Sequence, residues 1–490
     1  MDIRRLAASA AVCLFSLAAL LSCGESAAET PASVSAAADT AADETAAETT
    51  TALSAASVLP SADYGGRTFM ILGREYAKLG DLPSYEFTVE SETGDLINDV
   101  IFQRNMAVEE RYNVKIASSQ GDASSLIPKS VMSGDDAYQL AWAHVSTMSG
   151  LVLKGSLADY YTVPNIDITQ PWWNQLATDS LTVNGRCYLQ MNYIPFTGVL
   201  LSHCLYYDQK LAADYGVSDL YGMVNGGTWT FDRFDTEARK VSADLNGDGV
   251  YDASDLYGII ASHGTSAVAM GVAMGVVPVD VHDDGSFTLT MGGEKNQKIL
   301  EMVNSLMHSN CAYLITDYSK ENDIAKMFAA GQGLFYSGFL TDSYQFFRDK
   351  TDDYGLLPFP KYDEAQEKYI TTVTGGTGLL GVPLGQSDFA FTGMITEALA
   401  IESLSRVYPA VYETVVEEKL LRDEDSKKMF DILMDGMAID FGRTFKDAAY
   451  SDLLGDLCVK NSNDLASAEA KAAKSAEKQY RKVLDVFYGE

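Results

Sequence analysis

RTFMIL at 67–72, DLINDVIFQRNMAVEERY at 95–112 and NVKI at 113–116 form the stretch on which the fold turns. The first is a short apolar run that reads as a strand. The second sets Ile97, Val100, Ile101 and Val108 along one side of a helix, and the third is strand-like again. A helical pattern at 124–132 and a strand at 138–142 continue the alternation. Strand and helix repeating in this way predict an α/β body whose mostly parallel sheet is covered by helices. Ligands of such sheets sit beyond the carboxyl ends of the strands. That rule puts Arg74 and Glu75, after the first strand, and Trp142 and His144, at the end of the third, on the rim of a cleft.

The mixed pattern continues downstream. Strand runs are expected at 200–207 and 333–336, and helices at 231–241 and 295–308. Gly375-Gly376-Thr377-Gly378 leads into the apolar run 379–382, and helical patterns at 389–405, 426–434 and 466–488 close the chain. In the last of these Tyr480, Val483, Leu484 and Phe487 share a stripe, so it is expected to dock on a core. No internal repeat of fixed period is visible. A body this long is too large for one simple core and is expected to divide into two lobes.

Upstream of the body, Arg4-Arg5, the apolar run 6–21 and Ser22 precede Cys23, which is the layout of a secretory signal. Leu20-Leu21-Ser22-Cys23 resembles the lipobox of bacterial lipoproteins, which implies a signal peptide over 1–22 and an acylated Cys23. The alternative is an ordinary secretory signal cut at another small residue. Residues 23–60, almost wholly Ala, Thr, Ser, Glu and Asp, lack the apolar surface to offset their ordering entropy and read as a disordered tether.

The formal net charge of −32 includes Glu25, Glu29, Asp39, Asp43, Glu44 and Glu48 of that tether, yet the remainder is still strongly acidic. Nucleic acid is excluded as a partner, because neutralising phosphates takes a surplus of Lys and Arg. Cys187, Cys204, Cys311 and Cys458 lie in the body without CxxC spacing, so no zinc site is implied. Two alternatives stand side by side for them: a disulfide between Cys187 and Cys204, or four buried thiols.

The sharpest motif is Asp244-Leu245-Asn246-Gly247-Asp248-Gly249-Val250-Tyr251-Asp252-Ala253-Ser254-Asp255. Asp244, Asn246 and Asp248 fall at positions one, three and five of a calcium loop, Gly249 at six, the Val250 carbonyl at seven, and Asp252 and Asp255 at nine and twelve. Asp rather than Glu stands at twelve. The expected role of Ca2+ is structural, and the alternative is an acidic turn with no ion.

Trp142, Trp172, Trp173 and Trp229 offer flat indole faces of the kind that suit the C–H face of a sugar ring. Core packing is the competing reading for each, most strongly for Trp229, which precedes a helix start. Catalytic patterns are missing: there is no HExxH, GxSxG or Walker loop, and the five histidines are scattered. Acidic residues abound without any pairing that marks a glycosidase.

Taken in order, the segments RNMAVEERYNV (104–114), AWAHVSTMSGLVLKGSLADY (141–160), PWWN (171–174), LYYDQKLAADYG (205–216) and YGLLPFPK (354–361) resemble the extracellular solute-binding lipoproteins of carbohydrate ABC importers, the maltose-binding-like group. The resemblance implies a two-lobed, periplasmic-binding-protein-like type II α/β fold with hinge crossings at 192–200, 372–378 and 420–426. Lobe 1 would comprise 61–195 and 376–422, and lobe 2 196–375 and 423–490. The carried-over ligand contacts are Arg74, Glu75, Trp142, His144, Tyr336, Ser337, Phe339, Gly376 and Thr377, with Trp172 and Trp173 as further aromatic walls. The maltodextrin binders carry an acid directly after the His of the Trp-Ala-His segment; here Val145 stands there.

The implied function is capture of an oligosaccharide, without catalysis, for delivery to ABC transporter permease subunits. The implied setting is a lipid-anchored monomer on the extracellular face of a bacterial membrane. The alternatives are a surface glycoside hydrolase and a structural or adhesive surface lipoprotein.

Overall fold

The computed structural model describes residues 53–74, 86–373, 376–417 and 424–489. Cys23 and Glu75 lie outside them.

The opening alternation builds the first sheet. Strand Arg67–Gly73 runs parallel to Val114–Gln120, with Phe69 opposite Ile116, and to Leu140–His144, with Ile71 opposite Leu140. The helix between the first two strands, Leu96–Tyr112, starts where the Asp95 carboxylate accepts the Asn98 amide and ends at Asn113 in the left-handed region, φ 47°. Its buried face includes Ile97, Ile101, Val108 and Tyr112. A fourth strand, Gly378–Gly381, joins antiparallel to Leu140–His144 and sets Leu380 opposite Trp142 and Gly378 opposite His144. Glycine is required at 378, since a Cβ there would come within 2.2 Å of the Trp142 indole.

The second sheet is mixed. His203–Asp208 lies antiparallel between Gly333–Phe339 and Tyr354–Leu357. Gly333–Phe339 is parallel to Leu256–Ser262, which pairs in turn with Ala312–Ile315 and the short edge strand Ser242–Ala243.

The chain passes from the first sheet to the second through 192–202, where the helix Thr197–Leu200 is wholly buried. Two groups of the first body hold this passage: the buried Arg104 guanidinium donates to the Ile194 and Phe87 carbonyls, and the Glu86 carboxylate accepts the Thr197 amide. The return runs beside it. Ser202 bridges Val373, and Thr371–Thr372 pairs with Met437–Ala438 before Gly378 re-enters the first sheet. The third expected passage, near 420–426, lies partly outside the described residues.

Two expectations change. The last residues assigned to the tether are docked: helix Ala55–Val58 buries Ala55, whose amide donates to Glu402, and Leu53 and Leu59 pack against the core. Two leucines flanking an alanine run supply apolar surface that the rest of 23–60 lacks.

The closing helix Leu465–Tyr488 buries Tyr480, Val483, Leu484 and Phe487 as its stripe requires. It does not belong to the second body alone. At its start the Asn304 amide reaches Asn463, and at its end Asn184 and Arg186 of the first body donate to the Phe487 and Val486 carbonyls. The four cysteines among the described residues are buried and free. No helix among the described residues is long and apolar enough to cross a membrane.

Candidate functional site

A cavity of about 350 Å³ opens where the two bodies and the returning passage meet. The first body contributes His144, Val145, Ser146 and Ser149 from the end of the third strand and the helix after it, with Leu176 and Ser180 from a neighbouring helix. The second supplies Val272 and 275–277 at the end of helix His263–Ala273. Ile370, Thr372, Val373 and Thr377 come from the return passage, and 438–440, Arg443, Thr444 and Lys446 close the wall.

Helix Val145–Leu153 begins at His144, whose Nδ1 accepts the Ser146 amide at 3.1 Å. That bond makes Nδ1 the acceptor and assigns the proton of the neutral ring to Nε2. His144 keeps solvent contact, yet the surrounding wall lowers its pKa, first by burial and then through the charges of Arg74 and Lys446. Asp440 caps a short helical turn by accepting the Arg443 amide at 2.8 Å, and burial pushes its pKa up to about 6. Arg443 donates to the Ser451 carbonyl and, at 3.5 Å, faces Asp452, which also binds Lys446 at 2.6 Å. His203, fully buried against Phe339, is pushed down to about 3 by burial and by Arg443.

Several buried polar atoms here have no hydrogen-bond partner among the described residues: Thr377 Oγ1 and Thr444 Oγ1 in the cavity wall, and Asn192 Nδ2, His203 Nδ1 and Thr371 Oγ1 in the passages beside it. Such atoms cost about 1–3 kcal/mol each unless something outside the protein satisfies them.

Of the site residues expected from sequence, His144 and Thr377 line the cavity. Arg74 and Trp142 meet beside it: Arg74 donates to the Gly376 carbonyl and lies over the indole, 5.0 Å from its centre.

The tryptophans expected as sugar walls are elsewhere. Trp142 is fully buried beneath Gly378 and edge-on to Phe87. Trp172 and Trp173 are buried in the first body with both indole N–H groups on Glu397, at 2.8 and 3.0 Å. Trp229 is core, as its helix-start position suggested, donating to Pro358.

In the second sheet, Tyr336 donates to Asp342 and stacks on Tyr206, Ser337 bonds Ser266, and Phe339 covers His203. None of the three lines the cavity. Sequence reasoning missed Arg443 and Lys446; the available signal was the cap-and-turn pattern Asp440-Phe441-Gly442-Arg443, which plants a short helix.

The 244–255 loop is an exposed turn. Asp244 accepts the amides of Gly247 and Gly249, both at 2.7 Å, with Gly249 at φ 80°. Buried Asp255 accepts those of Leu245 and Asp252. The donor types and their order are those of a calcium loop, in which Asn246, Asp248, Asp252 and the Val250 carbonyl would be the remaining ligands. Among the described residues no three His, Cys, Asp or Glu side chains converge as a metal-ligand group, and Asp244, Asp248 and Asp252 accept amides of the loop itself.

No protein-family model and no curated protein matches the chain. Solved structures do. A maltose/maltodextrin-binding domain from Bdellovibrio bacteriovorus, bound to maltotriose, is 15% identical over 84% of this chain and 100% of its own, at a TM-score of 0.51. The GacH receptor of Streptomyces glaucescens, solved unliganded and with acarbose, is 15% identical over 86% and 99%, also at 0.51. An ABC substrate-binding protein from Listeria monocytogenes in complex with cycloalternan is 13% identical over 84% and 98%, again at 0.51. Identities this low establish architecture: the chain has the two-lobed, periplasmic-binding-protein-like type II α/β fold of the maltose-binding-like substrate-binding proteins.

Proposed function

We propose that this chain is an extracellular solute-binding protein that captures a carbohydrate in the cleft and hands it to the permease of an ABC transporter. The observation that carries the reading is the make-up of the cavity wall, where Ser146, Ser149 and Ser180 stand across from the apolar side chains of Val276, Val373 and Ile439. Hydroxyls to satisfy and C–H faces to cover are what a sugar presents. The solved structures of like fold, bound to maltotriose, acarbose and cycloalternan, support the same class of ligand.

Hydrolysis is less well supported. Glycoside hydrolysis ordinarily needs two carboxyl groups across the scissile bond, and Asp440 is the one carboxylate among the described residues that line the cavity. Ser149→Trp, on the cavity face of helix Val145–Leu153, is expected to fill the cleft. In a thermal-shift screen of oligosaccharides the parent should gain stability with at least one, whereas the variant, with the parent's own Tm, should gain none. A variant that responds as the parent does would remove this cavity as the site.

The anchor and the ion belong to the same proposal. Diacylglyceryl attachment at Cys23 would hold the body at the outer face of the membrane, and a fatty-acid analogue should label the parent but not Cys23→Ala. Calcium at Asp244, Asn246, Asp248, Val250, Asp252 and Asp255 would tie down the loop, so a chelator is expected to lower the Tm. Asp248→Ala should remove that response. Melting that neither treatment changes leaves the loop a simple turn.

A further inference from the structure

We infer that the saccharide taken by this cleft carries an anionic group, a carboxylate, phosphate or sulfate, which Arg443 and Lys446 receive. The inference rests on reading the cavity as a saccharide site and adds the chemical class of its ligand. The chain as a whole carries a net charge of −32, so a cleft of average character would repel anions. Its wall has the opposite character. Arg443 and Lys446 both line it, and the two cations share the single carboxylate of Asp452.

Asp440, the one carboxylate among the described lining residues, is spent on its own helix as the cap of the Arg443 amide. Burial raises its pKa to about 6 against the pull of the Arg443 amide and charge, so Asp440 offsets the Arg443 cation in part. Both imidazoles are lowered first by burial and then by positive neighbours, His144 by Arg74 and Lys446 and His203 by Arg443. The first turn of helix Val145–Leu153, which reaches the cavity through Ser146 and Ser149, adds its positive dipole end.

The wall also lacks the aromatic stacking surface that neutral sugars use. The described lining residues include no Trp, Tyr or Phe for stacking, and their Ser and Thr hydroxyls serve neutral and charged oxygens alike. Arg443 and Lys446 are the side chains in this wall that donate without accepting, and a charged oxyanion is the strongest partner for them.

The test is calorimetric titration of the full chain with matched probes. Digalacturonate and glucose 6-phosphate supply the carboxylate and the phosphate, galactobiose and glucose are their neutral counterparts, and succinate and glycerol phosphate are anions without a sugar ring. At least one anionic saccharide is expected to bind about tenfold or more tightly than its neutral counterpart, the order expected of a single charge-assisted hydrogen bond. Added salt and Lys446→Gln should both shrink that ratio; Lys446 is 39% exposed, so the variant keeps its fold.

Which anionic probe wins separates carboxylate from phosphate recognition. Neutral probes that bind as tightly as their anionic partners overturn the inference and leave saccharide capture standing. Binding of only the ring-free anions overturns saccharide capture, and this inference with it. A ratio unmoved by both salt and Lys446→Gln overturns the role of the cations, and no binding to any probe overturns both readings.

Discussion

Glu397→Ala is expected to destabilise the chain by about 3–5 kcal/mol, because it deprives several buried donors of one acceptor at once. Glu397 is 1% exposed, on the inner face of helix Phe389–Glu402. It accepts the indole N–H of Trp172, that of Trp173 and the Asp167 amide. Truncation leaves these donors without a partner and opens a cavity beside two large rings. Glu397→Gln keeps the volume and one acceptor oxygen, so it should cost less.

The same group makes stability depend on pH. Burial lifts the pKa of Glu397 from 4.5 to about 7, against the pull of its donors. A folded-state value above the unfolded one means that the native state binds more protons between the two. Its contribution is therefore fully present below 4.5 and is lost as pH rises through about 7. Denaturant unfolding across that window should show a shallower slope in Glu397→Gln than in the parent, the remainder coming from other raised carboxyls such as Asp440. A Glu397→Ala cost below about 1 kcal/mol would mean that water reaches the indoles.

Lys350→Met should be comparably severe. Lys350 and Asp208 form an ion pair at 2.6 Å in the second body, and each side chain is only 1% exposed. Asp208 also caps helix Gln209–Asp214 through the Leu211 amide. Removing the cation strands a buried carboxylate, a change that costs about 3–5 kcal/mol where it has been measured. Asp208→Asn on the Lys350→Met background should recover part of the loss, since the stranded charge goes while the cap survives in weaker form. Additive costs in that double-mutant cycle would mean that the pair is not coupled.

How far the sequence could be read follows from the range of the interactions involved. Strands and helices between 67 and 144 were legible because apolar periodicity is local, whereas the register that pairs Phe69 with Ile116 is set only when the strands meet. The antiparallel insertion of Gly378–Gly381 beside Leu140–His144 was not, since it joins segments more than two hundred residues apart through Gly378 and Trp142. A tryptophan's identity says nothing about which way it faces. Trp172 and Trp173 turn inward because Glu397, 225 and 224 positions away, supplies their acceptor. The cleft itself was half legible: His144 ends a strand and Thr377 directly precedes one, whereas Arg443 and Lys446 arrive on a short turn far along the chain.

Capture without chemistry makes one direct demand. When the full chain is equilibrated by dialysis against an isotope-labelled form of the saccharide that most stabilises it, close to one equivalent should be retained per chain and recovered with every linkage intact. Recovery of cleaved sugar, or retention no greater than with Ser149→Trp, would contradict capture in this cleft.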